Sequence, residues 1–393
     1  MGKLLVAPIW VLLIAFIFQK GETETKPSIV CENYSINRVK KGYVFLLFLL
    51  PFLLVAFRTD FGDTGAYLLG FNSIRTDLPL SDFLSSRGKD ELFYALEYFF
   101  KKFISQDAQF FLATVAFIES LLLLVTLRKY SEDFGMSIYI FVASTLMINW
   151  MCNGIRQFLV VTILFAMTNC ILKNKWYIFI PVILLLGGVK PIFNMFHWGT
   201  PFWLFCGIHQ SALIVIPIYF IVRGKALTKK VWILLLALLT ITALGLLDSF
   251  LETTTENTMY AVDLELVSNF KGANPIRFIV SLIPVVLVIA KRKEIVTDST
   301  PSLINLAVNM SFVTSTLYLA SVFTSGTFVG RLPIYCELFN LILIPWLINH
   351  IYADDRKIVV PALYILYFVY FIYQVFVAWG SYRYTISLFG HSF

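Results

Sequence analysis

The chain has 393 residues, of which 59% are hydrophobic, 17% aromatic and only 14% charged. Soluble globular chains carry about 25% charged residues, so a large water-facing surface is excluded. The formal net charge of +7 then raises the question of where cations sit among membrane loops, and a nucleic-acid partner is not expected.

A helix crosses about 30 Å of hydrocarbon with about 20 mainly apolar residues, and runs near that length fill this sequence. Open strands would leave backbone groups unpaired in lipid. A β-barrel would need alternating segments, and runs such as Trp232 to Leu247 do not alternate. The expected fold class is therefore an all-α polytopic membrane protein with about 12 transmembrane helices, forming a single transmembrane domain over residues 1–393.

In chain order the spans are expected at 4–19, 42–57, 108–127, 135–151, 154–172, 176–195, 202–222, 231–248, 274–290, 303–323, 333–350 and 358–379. The first run has one lysine before it and no small-residue cleavage site before Lys20, which favours a span over a cleaved signal peptide. The five cysteines lie mostly inside apolar runs without CxxC or other ligand spacing, and they read as small packing residues.

Loops alternate in charge. Lys20–Lys41, Arg128–Asp133, Lys173–Lys175, Arg223–Lys230, Lys291–Asp298 and Asp354–Lys357 hold more than half of the lysines and arginines. Cytoplasmic loops collect such residues, so this set faces the cytoplasm. The termini, an outer loop at 58–107 and a second outer loop at 249–273 face outward. Within 58–107, Leu92, Phe93, Leu96, Phe99 and Phe100 beside Asp90, Glu91, Lys101 and Lys102 predict amphipathic helix lying along the outer interface. Loops of this length are more often functional than not.

Ionisable groups near span ends collect on the outer side: Arg58, Asp60 and Asp63; Arg156 with Gln157; Lys190, His197 and His209; Arg277, Arg331 and Arg383. Together they predict a basic cavity opening outward. Arginine's planar donor fork suits phosphate oxygens, and the attraction strengthens where water is scarce. For each arginine the alternative is a side chain reaching for lipid headgroups. That alternative is weakest for Arg156, which is flanked by Asn153 and Gln157.

Asp63 lies in Arg58-Thr-Asp-Phe-Gly-Asp-Thr-Gly-Ala-Tyr67. Gly62 and Gly65 allow tight backbone paths, and Asp60 and Asp63 offer acceptors to a sugar or an arginine. A side-chain-capped turn is the structural alternative. His209 can exchange a proton near neutral pH or serve as a buried structural histidine. No Walker A loop, HExxH or GxSxG is present, and the carboxylates near Gly62 have no metal-ligand spacing. ATP-driven transport, zinc proteolysis and serine hydrolysis lose weight accordingly.

Several of these residues carry a resemblance. Arg58, Gly62, Asp63, Thr64 and Tyr67 follow an early span. Asn153, Ile155, Arg156 and Gln157 open a middle one, and His209, Ser211, Ala212, Leu213 and Pro217 lie in a later one. Arg331, Tyr335 and Pro345 come next, then Tyr382 and Arg383 after the last span. In this order the chain resembles the EpsG branch of Wzy-like bacterial polysaccharide polymerases, which join lipid-linked oligosaccharide repeat units on the outer face of the cytoplasmic membrane. It departs at Val160, where a small residue is expected, and in a long stretch from Lys190 to Phe205 before the histidine motif.

The resemblance implies a helix-rich architecture similar to lipid-dependent GT-C glycosyltransferases, with no metal and no cofactor. It implies polyprenyl-pyrophosphate-linked oligosaccharides as donor and acceptor, membrane lipids as surroundings and a chain-length regulator as an optional partner. Arg156, Arg277 and Arg331 are then the pyrophosphate candidates, with Arg58 and Arg383 joining them or holding Asp63. Asp63 or His209 would orient or deprotonate the acceptor hydroxyl. Asp60, Gln157, Tyr67 and Tyr335 would contact glycan or support those that do.

Two rivals share these features. A transporter or flippase for lipid-linked sugars would use the same cations, but commonly carries internal repeats or broken helices at mid-membrane, and no convincing repeat is found. A glycan ligase would differ only in its acceptor, whereas a membrane acyltransferase would need a route for an activated acyl donor, and no paired-histidine site suggests one.

Overall fold

The computed structural model describes residues 1–18, 23–27, 35–85, 87, 89–195, 207–244, 272–324, 326, 328–388 and 391–392. His197 and nearly all of the expected second outer loop at 249–273 lie outside the described residues, as do parts of the spans expected at 202–222 and 231–248.

The elements follow the apolar runs. A 3-10 turn, Gly2–Leu5, leads into α1 (Val6–Ile17); β1 (Thr23–Pro27) and β2 (Ser35–Val39) precede α2 (Lys41–Ala56). The 58–107 segment holds β3 (Arg58–Asp60), α3 (Thr64–Asn72), α4 (Leu80–Ser85) and α5 (Glu91–Phe103). Then come α6 (Ala108–Tyr130), α7 (Phe134–Ala143), a π-turn at Met147–Cys152, α8 (Ile155–Ala166), α9 (Thr168–Leu172), α10 (Trp176–Gly187) and α11 (Lys190–Met195). A 3-10 turn at Gln210–Ile214 opens α12 (Val215–Val222), followed by α13 (Lys229–Ala243), α14 (Pro275–Ala290), α15 (Arg292–Ile295) and α16 (Ser302–Phe323). After a 3-10 turn at Val329–Arg331 come α17 (Ile334–Glu337), α18 (Asn340–His350), α19 (Arg356–Tyr373), β4 (Thr385–Leu388) and β5 (His391–Ser392).

The all-α expectation needs one correction. β1 and β2 pair antiparallel, and β3 pairs with β4, which pairs with β5. These strands lie between or beyond the apolar runs, where nothing enforces helix.

Among the described residues, Ala108–Tyr130, Ser302–Phe323 and Arg356–Ala378 are long and apolar enough to cross a membrane, and Val329–Glu337 with Asn340–His350 forms a further candidate bent by 49°. The other apolar helices are shorter, and several breaks have identifiable causes. Just beyond α7 the chain turns at Thr145, held at φ 65°, and α10 ends at Gly188, at φ 83°, both in the left-handed region that favours glycine. Capping sets several starts. Asp107 accepts from the Gln109 N–H at 2.8 Å, Asp133 from Met136 at 2.9 Å and Asn274 from Ile276 at 3.0 Å, satisfying orphan donors of α6, α7 and α14.

The chain divides into two compact units. The first comprises Met1–Phe83, Ala95–Ala166 and Ile344–Phe393; in it α6 packs against α2, α3 and α8, and α7 against α1 and α19. The second comprises Leu84–Tyr94 and Met167–Leu343; here α16 packs against α13 and α14. Asn309 of α16 is buried. Its Oδ1 accepts from the Leu227 N–H at 3.0 Å, and its Nδ2 donates to the Val222 carbonyl at 3.0 Å. An apolar helix can carry such a residue only where protein supplies its partners.

Candidate functional site

In the first unit the sequence Arg58–Tyr67 folds into a strand and a tight turn. Arg58 is 0% exposed. Its Nε donates to Thr64 Oγ1 at 3.0 Å, Nη1 to the Val55 carbonyl at 2.6 Å and Nη2 to the Cys152 carbonyl at 3.3 Å. The guanidinium thus ties together the end of α2, the start of α3 and the turn before α8. Gly62 has φ 50°, and a Cβ there would stand 1.7 Å from Asn153 Oδ1. That closeness lets Asn153 Oδ1 accept from the Asp63 N–H at 3.1 Å, while Tyr67 Oη donates to the Asn153 carbonyl.

Aromatic rings close the turn from the other side. Phe61, wholly buried, meets Trp379 at 5.3 Å, Tyr384 at 6.0 Å and Tyr382 at 6.3 Å between ring centroids. Tyr384 Oη donates to the Leu54 carbonyl at 2.7 Å. Burial pushes its phenol above the ordinary range, so it remains a donor. The turn leaves Asp60 and Asp63 exposed, and Arg383 is exposed as well. Gln157 is buried and Arg156 half-buried at the start of α8.

The second unit brings together different groups. Leu186, near the end of α10, accepts from the N–H groups of Ile208 at 2.7 Å and His209 at 3.0 Å, which occupies a helix-end carbonyl. Gly207 makes this approach feasible, since a Cβ there would lie 2.1 Å from the Leu186 oxygen. His209 Nδ1 then stands 3.7 Å from Oδ2 of Asp90, whose carboxylate is almost fully buried. The distance is that of an ion pair and too long for a hydrogen bond. Beside it, Lys190 Nζ donates to Glu91 Oε1 at 3.0 Å. Ser211 Oγ and Tyr335 Oη share a hydrogen bond of 2.9 Å, and Tyr318 Oη donates to Glu337 Oε2 at 2.7 Å. Arg277 interacts electrostatically with Glu337, and Arg331 is exposed.

The sequence-derived candidates therefore divide. Arg58, Asp60, Asp63, Tyr67, Arg156, Gln157 and Arg383 belong to the first unit, and His209, Arg277, Arg331 and Tyr335 to the second. Arg58 bonds to Thr64 and to backbone carbonyls. In the second unit His209, Lys190 and Arg277 are met by Asp90, Glu91 and Glu337, whose partnership sequence reasoning did not anticipate. Asp90 and Glu91 had a signal of sorts, a pair of acids opening an amphipathic helix, but nothing in the chain links them to residues about a hundred positions away. Glu119 was missed altogether: one carboxylate midway along an apolar span, 0% exposed. That position was itself the signal. Among the described residues, no group of three or more His, Cys, Asp or Glu side chains is placed to hold a metal ion.

Several apolar helices of membrane character, with ionisable side chains packed among them, define a largely helical protein suited to a lipid bilayer. The pattern of the EpsG family matches residues 41–389, which include every candidate site residue. The chain belongs to the EpsG family, a family of Wzy-like polysaccharide polymerases. No curated protein and no solved structure matches it.

Proposed function

We propose that this protein polymerises lipid-linked glycan at the outer face of the bacterial cytoplasmic membrane. It would cross the membrane many times in a GT-C-like arrangement with both termini outside. In each cycle the bond between the donor's reducing-end C1 and the pyrophosphate oxygen breaks, and a bond from C1 to an acceptor hydroxyl oxygen forms. The acceptor proton passes to His209, and polyprenyl pyrophosphate departs with the bonding electrons. Family membership supports the reaction class; the observation that carries the assignment is His209 facing the buried Asp90 at 3.7 Å.

Of the two candidate bases, His209 is favoured. A carboxylate at Nδ1 favours the tautomer that leaves Nε2 free to accept a proton, and stabilises the imidazolium that results. Asp63 is exposed to water and is assigned to the acceptor glycan with Asp60, Tyr67 and Gln157; Tyr335 serves the glycan on the side of His209. Arg277 and Arg331, in the same unit as His209, are assigned to pyrophosphate, whose negative charge grows as the C1–O bond breaks, and Arg156 and Arg383 of the first unit are carried as further candidates for that charge. Arg58 is removed from that group, because its donors are spent inside the protein.

Purified protein in lipid, supplied with lipid-linked repeat units, should build long glycan. In a producing cell, loss of the protein should leave short lipid-linked glycans on the outer face. Accumulation on the inner face would favour a transporter, and single-unit transfer to a different acceptor would favour a ligase. Sidedness has its own test. Gly65, exposed with open space around it, and Lys225, exposed between α12 and α13, are each replaced by cysteine. An impermeant thiol reagent should label Gly65→Cys in intact cells and spare Lys225→Cys.

A further inference from the structure

The chain beyond α19 carries two aromatic rings, Trp379 and Tyr382, that the proposed chemistry leaves unused. Three locally unfavourable features of the first unit meet at the first of them. Thr145 is held at φ 65°, and a β-branched residue in the left-handed region is a genuine outlier. A π-turn follows at Met147–Cys152, and a second π-turn, Gln374–Ala378, continues from the end of α19. Such features cost stability and collect at functional sites. Here they orient one indole. Thr145 Oγ1 accepts from Asn149 Nδ2 at 3.0 Å, and Asn149 Oδ1 accepts from Trp379 Nε1 at 3.0 Å. The only donor of the indole is thus spent on fixing the ring. Gly380 then lets the chain double back, since a Cβ there would stand 2.3 Å from the Phe376 oxygen. The Tyr382 N–H donates to the Trp379 carbonyl at 2.9 Å. The two rings stand 4.9 Å apart, inclined at 64°. Phe61 backs both, at 5.3 and 6.3 Å, and is wholly buried, whereas Tyr382 is 46% exposed.

Polar groups open to water surround these rings in the fold. Asp60 and Asp63 lie on either side of Phe61 in the chain and are exposed, as is Arg383 next to Tyr382. Strand pairing fixes the juxtaposition. Asp60 lies opposite Thr385, Thr59 and Thr385 share a hydroxyl hydrogen bond of 2.8 Å, and the Ser387 N–H donates to the Phe57 carbonyl at 2.9 Å. Aromatic faces are the negative part of the ring quadrupole. A sugar ring offers them an apolar, weakly positive C–H face, with hydroxyls around its rim to which carboxylates accept and arginine donates. Lipid headgroups are the other surroundings that Trp and Tyr favour, but headgroup phosphates would meet two exposed carboxylates of like charge. We propose that Trp379 and Tyr382 form a platform on which a sugar ring of the acceptor glycan stacks, with Asp60 and Asp63 beside it, and that Asn149 is a positioning residue that sets the indole. Only the acceptor's identity rests on the polymerase reading; sugar binding at the platform stands without it.

The test uses full-length protein in lipid and, as probe, the oligosaccharide released by mild acid from the lipid-linked repeat unit of a producing cell. This probe carries neither lipid nor pyrophosphate, so it binds through its sugars alone. By titration calorimetry, Tyr382→Ala should weaken its binding about tenfold. Tyr382→Phe, which keeps the ring face, should recover most of that loss. Asp60→Asn and Asn149→Ala should each weaken binding about threefold, the second without touching the sugar. In the polymerisation assay, Tyr382→Ala should raise the KM for the lipid-linked repeat unit more than it lowers kcat. No binding of the probe by the unaltered protein, or undiminished binding by Tyr382→Ala, would overturn the platform. A lower membrane yield of Tyr382→Ala with probe binding per folded molecule unchanged would also overturn it, and would make the ring an interfacial anchor. Probe binding that depends on Tyr382 in a protein that builds no long glycan would sink the polymerase reading and leave the platform standing. Polymerisation by Tyr382→Ala with an unaltered KM would do the opposite.

Discussion

The Arg58 turn and the His209 cluster use charge in opposite ways. Around Arg58 each guanidinium nitrogen has an acceptor, the neighbouring glycine is wedged against Asn153, and three aromatic rings seal Phe61. Around His209 the ions are spaced as pairs, the ring nitrogen stands beyond hydrogen-bond reach of Asp90, and the histidine keeps contact with solvent. A wholly buried cation whose every nitrogen already donates inside the protein has little to offer a substrate. A histidine with one nitrogen facing a carboxylate can still exchange a proton. The contrast teaches that in a protein with many arginines near its helix ends, burial and spent donors separate a brace from a group open to chemistry more sharply than residue type does.

The comparison breaks most directly at His209. His209→Ala should cut turnover by roughly 10²–10⁴-fold, the scale of a lost general base, with little change in unfolding temperature. Asp90→Asn should lower turnover less and shift its pH dependence. A collapse in stability with residual turnover per folded molecule unchanged would place His209 with the braces.

Arg58→Met should do the reverse. The substitution leaves Thr64 Oγ1 and the Val55 and Cys152 carbonyls without this donor, at about 1–3 kcal/mol for each buried group left unsatisfied, so the unfolding temperature in detergent and the amount reaching the membrane should both fall. Turnover per folded molecule should fall less than for His209→Ala. Normal folding with abolished turnover would return Arg58 to the pyrophosphate site.

Arg156→Ala tests whether a half-buried arginine of the first unit belongs to the chemistry. Loss of one donor to a developing anion costs about 3 kcal/mol, roughly a hundredfold in rate. Lysine should rescue in part, since it keeps the charge and loses the planar fork. Near-normal turnover of the alanine variant would leave Arg156 as an interfacial anchor.

A smaller effect is expected at Asn309, a brace in the second unit. Asn309→Ala leaves the Leu227 N–H and the Val222 carbonyl without this partner, at a cost of about 1–3 kcal/mol. Thermal unfolding should shift downward while turnover per folded molecule stays unchanged. A selective loss of turnover would mean that the second unit's braces and its chemistry are not separable.

Much of this was legible beforehand because lipid imposes a strong rule on sequence: apolar runs near span length become helices, and helix lies in each interval where a span was expected. The breaks were less legible. The run 135–151 looks continuous, yet the chain turns at Thr145 and then winds a π-turn. Of the site, the family motifs pointed to Arg58, Asp63, Arg156 and His209. They did not tell which arginine would spend its donors internally, since Arg58 and Arg156 look alike when read one after the other.

The sequence by itself determined the apolar, helical character of this protein, the positions of its helices and the family to which it belongs, because hydrophobic periodicity and motif order are local properties of the chain. Tertiary structure alone decided the partners of its charges. His209 gains Asp90 and Arg58 gains the Cys152 carbonyl only when residues far apart in sequence pack together. A buried charge takes its meaning from its partners and from the water it has lost, and neither is written next to it in the chain.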